Sequence, residues 1–280
     1  MPATDPTAAL PPTLNLIGGG RVARVLARLF ASSAVLTVQD VLTRSQASAD
    51  EAVGFIGAGR AATALAQMRP AAVWMLAVSD DQIASVCGQL AAVHDLSGAV
   101  VFHCGGAQSS AALAGSGGAN ASIHPVRSFA DPALVAARFN GTFCGIEGDP
   151  VALALLQPAF EAIGAHCVAI DPAAKTVYHA ASVFASNYLV TVLDAALRAF
   201  QAAGIPDAVA RQLAGPLARE TLDNVLRLGP EAALTGPIAR GDVATVQRQQ
   251  VALSHWDAPT GSLYAALATA TASLALRRSL

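Results

Sequence analysis

A glycine cluster near the start of the chain constrains the fold more than any other feature of the sequence. The segment LNLI, which has the length and composition of a short buried strand, is followed directly by Gly18, Gly19 and Gly20. The next residues, RVARVLARLF, place apolar side chains at helical spacing. A strand that ends in a tight glycine turn and leads into a helix begins a βαβ unit, in which the helix N-terminus can face a phosphate.

Strand and helix signals then alternate over the first part of the chain. Alanine-rich helical stretches separate short apolar runs of about strand length, which end at Ile17, Leu42, Val78, Cys104 and Ile146. This alternation predicts a parallel sheet covered by helices, that is, an α/β fold with an N-terminal Rossmann-type doubly wound sheet.

A change of pattern after Asp171 and Pro172 predicts a second domain. The strand signals stop there, and helical periodicity continues to the C-terminus. The first of these helices is predicted to run from Pro172 to Ala203 and to end at Gly204. We therefore expect a flexible tail at residues 1–12, a dinucleotide-binding Rossmann domain at 13–170 and an all-α C-terminal domain at 171–280.

Composition and charge exclude several classes of partner. Apolar residues make up 54% of the chain and charged residues 13%, which provides for a large buried core. The formal net charge of -2 and the absence of a long Lys/Arg block argue against nucleic acid and anionic membranes, so we expect a small-molecule substrate. Four dispersed cysteines without a CxxC pair predict no metal site and fit a reducing cytoplasm. The opening residues lack a signal-peptide pattern, and no apolar run approaches membrane-spanning length.

The glycine motif has a near-copy that must be distinguished from it. IGGGRVARVLA and IGAGRAATALA, the latter with Gly57 and Gly59, both contain GxGxxA. The first copy follows the stronger strand, LNLI, and leads through a helix into a second strand, which is the order that a dinucleotide-binding motif requires. We favour the first copy, and the alternative is that the second forms the true site.

The residues predicted to bind the cofactor follow from this motif. Gly18 permits the turn, Gly20 lets the backbone approach a pyrophosphate, and the predicted contacts extend over Gly18, Gly19, Gly20, Arg21 and Val22. Other contacts are expected at the ends of later strands, at Ala77, Val78 and Cys104.

The cofactor is predicted from the end of the second strand. Arg44, with Ser45, stands where the adenosine ribose would lie, and a guanidinium suits the 2′-phosphate of NADP. Asp40 is the alternative, since its distance from Gly18 suits the 2′-hydroxyl of NAD. We prefer Arg44 because Asp40 lies within the predicted strand.

Candidates for proton transfer or substrate placement lie further along the chain. His124 stands in IHPVRSF, which we interpret as a loop because Pro125 restricts the residue before it. Lys175 and His179 lie on one stripe of the long helix, together with Ser182 and Ser186, and Asn187 is nearby. The alternative for His124 is a purely structural role, and the alternative for the helix stripe is a solvated face or helix contacts across a dimer. His103 is expected near the cofactor or in a purely structural role.

Together these stretches resemble an uncharacterised Rossmann-like oxidoreductase family, with a domain of unknown function in its C-terminal half, that is related to the six-phosphogluconate dehydrogenase group. The resemblance spans nearly the whole chain and rests on LNLIGGGRVA, VLTRS, LAVSDDQI, FHCGGA, SIHPVRSF, KTVYHAASVFASNYLV and LTGPIARGD. It implies an N-terminal NADP-binding domain, a helical domain for substrate binding and dimerisation, and a homodimer in which the helical halves pack together.

The wider group includes pyrroline-carboxylate reductase, ketopantoate reductase, hydroxyisobutyrate dehydrogenase and prephenate dehydrogenase, which all move a hydride. Several carry a lysine early on the interdomain helix, similar to Lys175, and prephenate dehydrogenases carry a His-Pro pair that His124-Pro125 resembles. The residues after each match depart from the family patterns, so no substrate is inherited. The resemblance implies an NADP(H)-dependent oxidoreductase acting on a small carbonyl, hydroxy or imino compound. The alternative is a dinucleotide-binding sensor or interaction module without turnover.

Overall fold

The computed structural model describes residues 10–277, and most of the predicted tail lies outside them. One eight-stranded sheet organises the first part of the chain, in the order β3-β2-β1-β4-β5-β6-β7-β8. All neighbouring strands are parallel except β6 and β7, which are antiparallel. The strands are β1 (Thr13–Ile17), β2 (Thr37–Leu42), β3 (Arg60–Ala62), β4 (Val73–Leu76), β5 (Val100–His103), β6 (Ala119–Pro125), β7 (Thr142–Gly148) and β8 (Ala165–Ala169).

Helices cover both faces of this sheet. Leu14 and Leu16 of β1 belong to one buried cluster with Phe30, whereas Ile17 and Trp74 belong to a second buried cluster. Two cores on opposite faces are the mark of a doubly wound sheet, so the predicted fold class is confirmed. The helices of this part are α1 (Arg21–Ser32), α2 (Gln46–Ile56), α3 (Ile83–Val93), α4 (Pro132–Ala137), α5 (Pro150–Ala162) and α6 (Lys175–Val183).

The chain divides into two compact units between Val183 and Phe184. The second unit is helical, as predicted, and begins with a π-helical segment, Phe184–Tyr188. Its helices are α7 (Leu189–Ala202), α8 (Asp207–Leu228), α9 (Pro230–Ala233), α10 (Val243–Trp256) and α11 (Ala258–Arg277). The last described strand ends at Ala169, whereas the compact units divide later, within the long helix. The functional boundary at 170/171 stays a prediction.

The long helix is observed close to its predicted limits. Helical turns run from Pro172 to Ala202, and Gly204 has a positive φ of 85°. By length and composition this helix, with a mean hydropathy of 1.4, could also cross a membrane. The sequence-based expectation considered only uninterrupted apolar runs, and polar residues such as His179, Asn187 and Asp194 interrupt this one. Helices of soluble proteins pass the same test.

The interpretation of IHPVRSF as a loop was wrong for its first three residues. β6 extends through His124 to Pro125, antiparallel to β7. The restriction that Pro125 places on its neighbour excludes a helix but is compatible with an extended strand. The Val126 N–H donates to the Phe143 carbonyl at 2.8 Å, so the ladder continues beyond the proline. β3 and β8 were also not predicted.

The second glycine motif proves to be the end of a helix. Gly57 is the C-cap of α2, in the left-handed conformation with φ of 80°, and its N–H donates to the Val53 carbonyl. The short strand β3 then follows. No strand enters this motif and no helix leaves it, so it lacks the context of a phosphate-binding turn.

Candidate functional site

A cleft of about 1050 Å³ opens at the carboxyl ends of β1, β2 and β4. The chain order reverses across the sheet here, because β2 and β3 lie on one side of β1 whereas β4 and β5 lie on the other. Open α/β sheets bind their ligands at such a switch point. The volume lies at the upper end of the range for small-molecule sites. Of the predicted cofactor residues, six line the cleft: Gly18, Gly19, Gly20, Arg44, Ala77 and Val78.

The glycine turn joins β1 to α1 at the floor of this cleft. Gly18 has φ of 102°, and a Cβ there would collide with the Ala77 carbonyl oxygen. Its N–H donates to the Leu42 carbonyl at 2.8 Å, which holds the turn between β2 and β4. By contrast, no atom lies within 4 Å of the position that a Cβ on Gly20 would occupy. The backbone at Gly20 is therefore open to a ligand.

No side chain among the described residues caps the N-terminus of α1. Arg21 and Val22 form its first turn, where backbone N–H groups have no acceptor within the helix. Uncapped N–H groups and the helix dipole together favour an anion such as a phosphate. Arg21 and Val22 do not line the cleft, so their contact with a cofactor stays a prediction.

The choice between Arg44 and Asp40 is clear in geometric terms. Arg44 is exposed and lines the cleft, with no hydrogen bond or ion pair to another described residue. Asp40 is fully buried within β2, and its carboxylate accepts from Arg60 Nε at 2.9 Å and from Arg69 NH2 at 2.8 Å. Burial raises the pKa of Asp40, but these hydrogen bonds outweigh it and lower the pKa. Asp40 is therefore committed to its own ion pairs.

Arg24 lines the cleft and was not predicted from the sequence. Its Nε donates to the Gly19 carbonyl and its NH1 to Glu51 Oε1, both at 2.6 Å. It stands one helical turn after Gly20, which is the signal that would have identified it. Ser45, by contrast, caps α2 by accepting from the Ser48 N–H at 3.2 Å and lies outside the cleft lining.

A second group of polar residues surrounds Lys175, the only lysine of the chain. Its side chain is 2% exposed, and its Nζ donates to Ser122 Oγ and to the Gly105 carbonyl at 3.3 Å. Glu147 Oε1 lies 3.6 Å from Nζ, and Glu147 also accepts from the N–H and the hydroxyl of Ser110. Burial lowers the pKa of Lys175, although the Glu147 carboxylate opposes this shift.

His124 lies beside this group and meets two residues of α6. Its Nδ1 is 3.0 Å from the Tyr178 hydroxyl, and its ring centre is 5.5 Å from that of His179. Burial, followed by the nearby His179 and Lys175, lowers the pKa of His124 to about 4. His124 is thus neutral near pH 7. The structure brings His124, Lys175 and His179 close together, although none of them lines the cleft.

The loop after β5 lies between the cleft and this second group. A Cβ on Gly105 would come within 2.7 Å of Asp80 Oδ1, and Asp80 directly follows the cleft residue Ser79. A Cβ on Gly106 would lie 2.8 Å from His124 Nε2 and would collide with the His179 ring. Glycines at both positions let the loop pass between these side chains.

His103 and Cys104, at the end of β5, have structural surroundings. The His103 Nδ1 accepts from the Gly105 N–H at 3.0 Å, and its Nε2 lies 3.1 Å from the Ser109 carbonyl. The imidazole therefore holds both ends of the loop after β5 in place. Burial raises the pKa of Cys104 to about 12, which keeps the thiol protonated, and Cys104 does not line the cleft.

The remaining predicted residue, Asn187, belongs to the helical unit. It is exposed in the π-helical segment, and its carbonyl accepts from the Thr191 hydroxyl at 3.3 Å. Ser186 of the predicted stripe is in the same segment. Among residues 10–277, no group of three or more His, Cys, Asp or Glu side chains is arranged to hold a metal ion.

Comparison with a family model concerns the C-terminal half. Residues 142–271 match the model described as Domain of unknown function (DUF2520). This confirms the resemblance to an uncharacterised Rossmann-like family with such a C-terminal half, whereas its place in the wider six-phosphogluconate dehydrogenase group stays a prediction. The comparison with curated proteins finds no match.

Solved structures share the fold of this chain over nearly its full length. A Bacteroides fragilis protein, provisionally assigned as an NADP oxidoreductase, is 22% identical with a TM-score of 0.79, over 94% of this chain and 98% of that one. A Thermotoga maritima protein of unstated activity is 27% identical with a TM-score of 0.73, over 95% and 100%. An imine reductase from Myxococcus stipitatus, in complex with NADP+, is 17% identical with a TM-score of 0.63, over 95% and 93%.

Proposed function

We propose that the chain is an NADP(H)-dependent oxidoreductase that transfers a hydride to or from a small carbonyl, hydroxy or imino compound. One observation carries the proposal. The only one of the two glycine motifs with a strand before it and a helix after it opens, at Gly20, into a cleft at the switch point of the sheet. The Myxococcus stipitatus imine reductase, which shares the fold, is complexed with NADP+.

The residues present fit a dinucleotide. The open backbone at Gly20 and the first turn of α1 would hold the pyrophosphate, and Ala77 and Val78 would border the rest of the cofactor. Arg44, exposed and uncommitted, would bind the 2′-phosphate of NADP, since the buried Asp40 cannot offer its carboxylate to a ribose. When bound, the nicotinamide supplies or accepts the hydride.

The substrate is proposed to lie beside the loop at Gly105 and Gly106. Hydride transfer changes the charge on the substrate oxygen or nitrogen, so a hydrogen-bonding group must face that atom. His124 is our candidate, because its ring is half-buried, neutral and close to this loop. Lys175, with its Nζ already hydrogen-bonded to Ser122 and Gly105, is proposed to hold the loop in place.

A homodimer through the helical unit is also proposed. Both buried hydrophobic clusters of the described chain consist of residues from the first unit. The helical unit leaves large apolar side chains open, with Phe184 69%, Val190 67% and Leu217 62% exposed. Large exposed apolar surfaces mark interaction sites, and the same helical unit of a second copy can bury this surface in a two-fold symmetric interface. We propose a soluble, cytoplasmic dimer.

One observation favours the alternative of a non-catalytic dinucleotide sensor. The cleft lining contains none of His124, Lys175 and His179, so bound cofactor alone does not require them. Screening small carbonyl, hydroxy and imino compounds for NADPH oxidation or NADP+ reduction separates the two functions. Turnover of any compound class supports the enzyme, whereas cofactor binding without turnover across all of them supports the sensor.

The first test of the proposed function is direct binding. Purified protein is titrated with NADPH and NADH, with binding followed by nicotinamide fluorescence and by calorimetry. We expect saturable binding with NADPH preferred. Folded protein that binds neither cofactor would refute the proposal.

A further inference from the structure

The hydroxyl of Tyr178 lies in a space that a strand glycine leaves open. Gly145 stands opposite His124 in the antiparallel pairing of β6 with β7. A Cβ on Gly145 would come within 2.5 Å of the Tyr178 hydroxyl oxygen. Glycine weakens a strand interior, so its presence here indicates a close approach that a larger residue would block. That approach lets the phenol reach across β7 to His124 Nδ1, 3.0 Å away.

The phenol is placed to donate its proton to the imidazole. Burial raises the pKa of Tyr178, and a hydrogen bond from the Gly145 backbone opposes this in part, so the hydroxyl keeps its proton at neutral pH. Among the described residues, the Tyr178 hydroxyl has no hydrogen-bond acceptor other than His124 Nδ1, so its O–H is placed to donate to this nitrogen. A neutral imidazole that accepts at Nδ1 carries its own proton on Nε2.

The other ring nitrogen of His124 lies at the loop where the substrate is proposed to bind. Nε2 lies 2.8 Å from the position that a Cβ on Gly106 would occupy. The groups that face the ring are Tyr178, His179 and Lys175 from α6, together with the backbone of Gly106 and Gly145. Lys175, a cation, disfavours a second positive charge on His124.

We propose that Tyr178 is a positioning residue that fixes His124 as the tautomer with its proton on Nε2, and that this N–H is the hydrogen-bond donor to the substrate oxygen or nitrogen. The proposal rests on the proposed function for the identity of the acceptor. The tautomer of His124 itself does not depend on a bound cofactor, because it follows from the contact with Tyr178. A neutral histidine in this state stabilises developing negative charge without itself being protonated.

Nuclear magnetic resonance of the free protein tests the tautomer directly. With ¹⁵N-histidine labelling, and His124→Gln to assign the signals, we expect His124 to show a protonated Nε2 and an unprotonated Nδ1. In Tyr178→Phe the lost donor should allow both tautomers and raise the pKa of His124, because the O–H bond stabilises only the neutral ring. Tyr264→Phe, which removes a hydroxyl bonded to Gln249 in the helical unit, is the matched control and should change neither property.

Gly145→Ala serves as a second variant, because the added Cβ displaces the Tyr178 phenol without removing it. We expect Gly145→Ala to allow both tautomers of His124, as Tyr178→Phe does. A wild-type His124 with its proton on Nδ1, or a tautomer unchanged in both variants, overturns the proposal. In a turnover assay Tyr178→Phe should lower kcat at least about 10-fold while NADPH binding is retained. If wild-type protein does not bind NADPH, the proposed function is refuted, whereas the result on the His124 tautomer is unaffected.

Discussion

Lys175 and Glu147 meet inside the first unit, with Nζ 3.6 Å from Oε1 and with side chains only 2% and 4% exposed. Removing one partner of a buried ion pair leaves the other charge without compensation, which costs about 3 to 5 kcal/mol. We therefore expect Lys175→Met to lower the free energy of unfolding by that amount in urea denaturation. The double variant with Glu147→Gln should recover part of the loss, and additive effects of the two changes would contradict a direct pairing.

The same pair predicts a measurable pKa. Because Lys175 is the only lysine, labelling with ¹³C-lysine yields a single side-chain signal whose titration can be followed. Burial should place its pKa below the ordinary value of about 10.4. Between the folded and unfolded pKa values the unfolded chain binds the extra proton, so stability should rise with pH there. Glu147→Gln should lower the pKa further, and an unshifted pKa in wild-type protein would refute the burial of a charged amine.

Substitutions at the two glycine motifs should have opposite effects. Gly18→Ala forces a side chain against the Ala77 carbonyl at a positive φ, so we expect loss of NADPH binding together with destabilisation of roughly 1 to 3 kcal/mol. Gly57→Ala, at a helix end with open space around it, should cost about 1 kcal/mol and leave binding intact. The reverse outcome in a fluorescence titration would identify the second motif as the site.

Arg44 should determine the preference for the phosphorylated cofactor. We expect Arg44→Ala to weaken NADPH binding at least about 10-fold and NADH binding no more than about 2-fold, because only NADPH carries the 2′-phosphate. Arg28→Ala is the matched control, since Arg28 is exposed on α1 but lies over Phe55 and does not line the cleft. Equal weakening of both cofactors, measured by calorimetry, would overturn the NADP assignment.

The exposed apolar face of α8 should matter for assembly. Leu213 and Leu217 are one helical turn apart and are 45% and 62% exposed. Changing both to Glu should convert a dimer into a monomer in sedimentation equilibrium, because charged groups cannot be buried in an apolar interface without a partner. Val151→Glu, at an equally open apolar position of the first unit, should leave the dimer unchanged. A monomeric wild-type protein would refute the dimer.

Local patterns in the sequence were sufficient for the fold class and for most of the elements around the glycine turn. The strand before Gly18 and the helix after it are read from neighbouring residues, as are the helical turns from Pro172 to Ala202. β3, three residues long, and β8 were missed because their sequences carry little of the β-branched alternation that marks a strand. The prediction of a loop at Pro125 failed for a different reason. The backbone restriction that a proline places on the residue before it occurs both in loops and at strand ends, so it does not distinguish between them.

The candidate site depended more on long-range contacts. The preference for Arg44 over Asp40 followed from the position of Asp40 inside a predicted strand. The two ion-pair partners of Asp40, Arg60 and Arg69, could not be predicted because no sequence pattern links them to it. The contacts of Tyr178 with His124 and of Glu147 with Lys175 carried no sequence signal at all. Tyr178 becomes relevant only because β7 brings Gly145 opposite His124.

The sequence by itself determined where a phosphate-binding turn can form, because a strand, a glycine turn and a helix are each set by residues adjacent in the chain. It also determined the order of the α/β and helical parts. Only the tertiary structure decided which polar side chains meet, since Lys175, Glu147 and Ser122 approach one another across strands and helices distant in the chain. Hydrogen bonds and pKa shifts depend on distance and burial in space, and spacing along the sequence does not encode them.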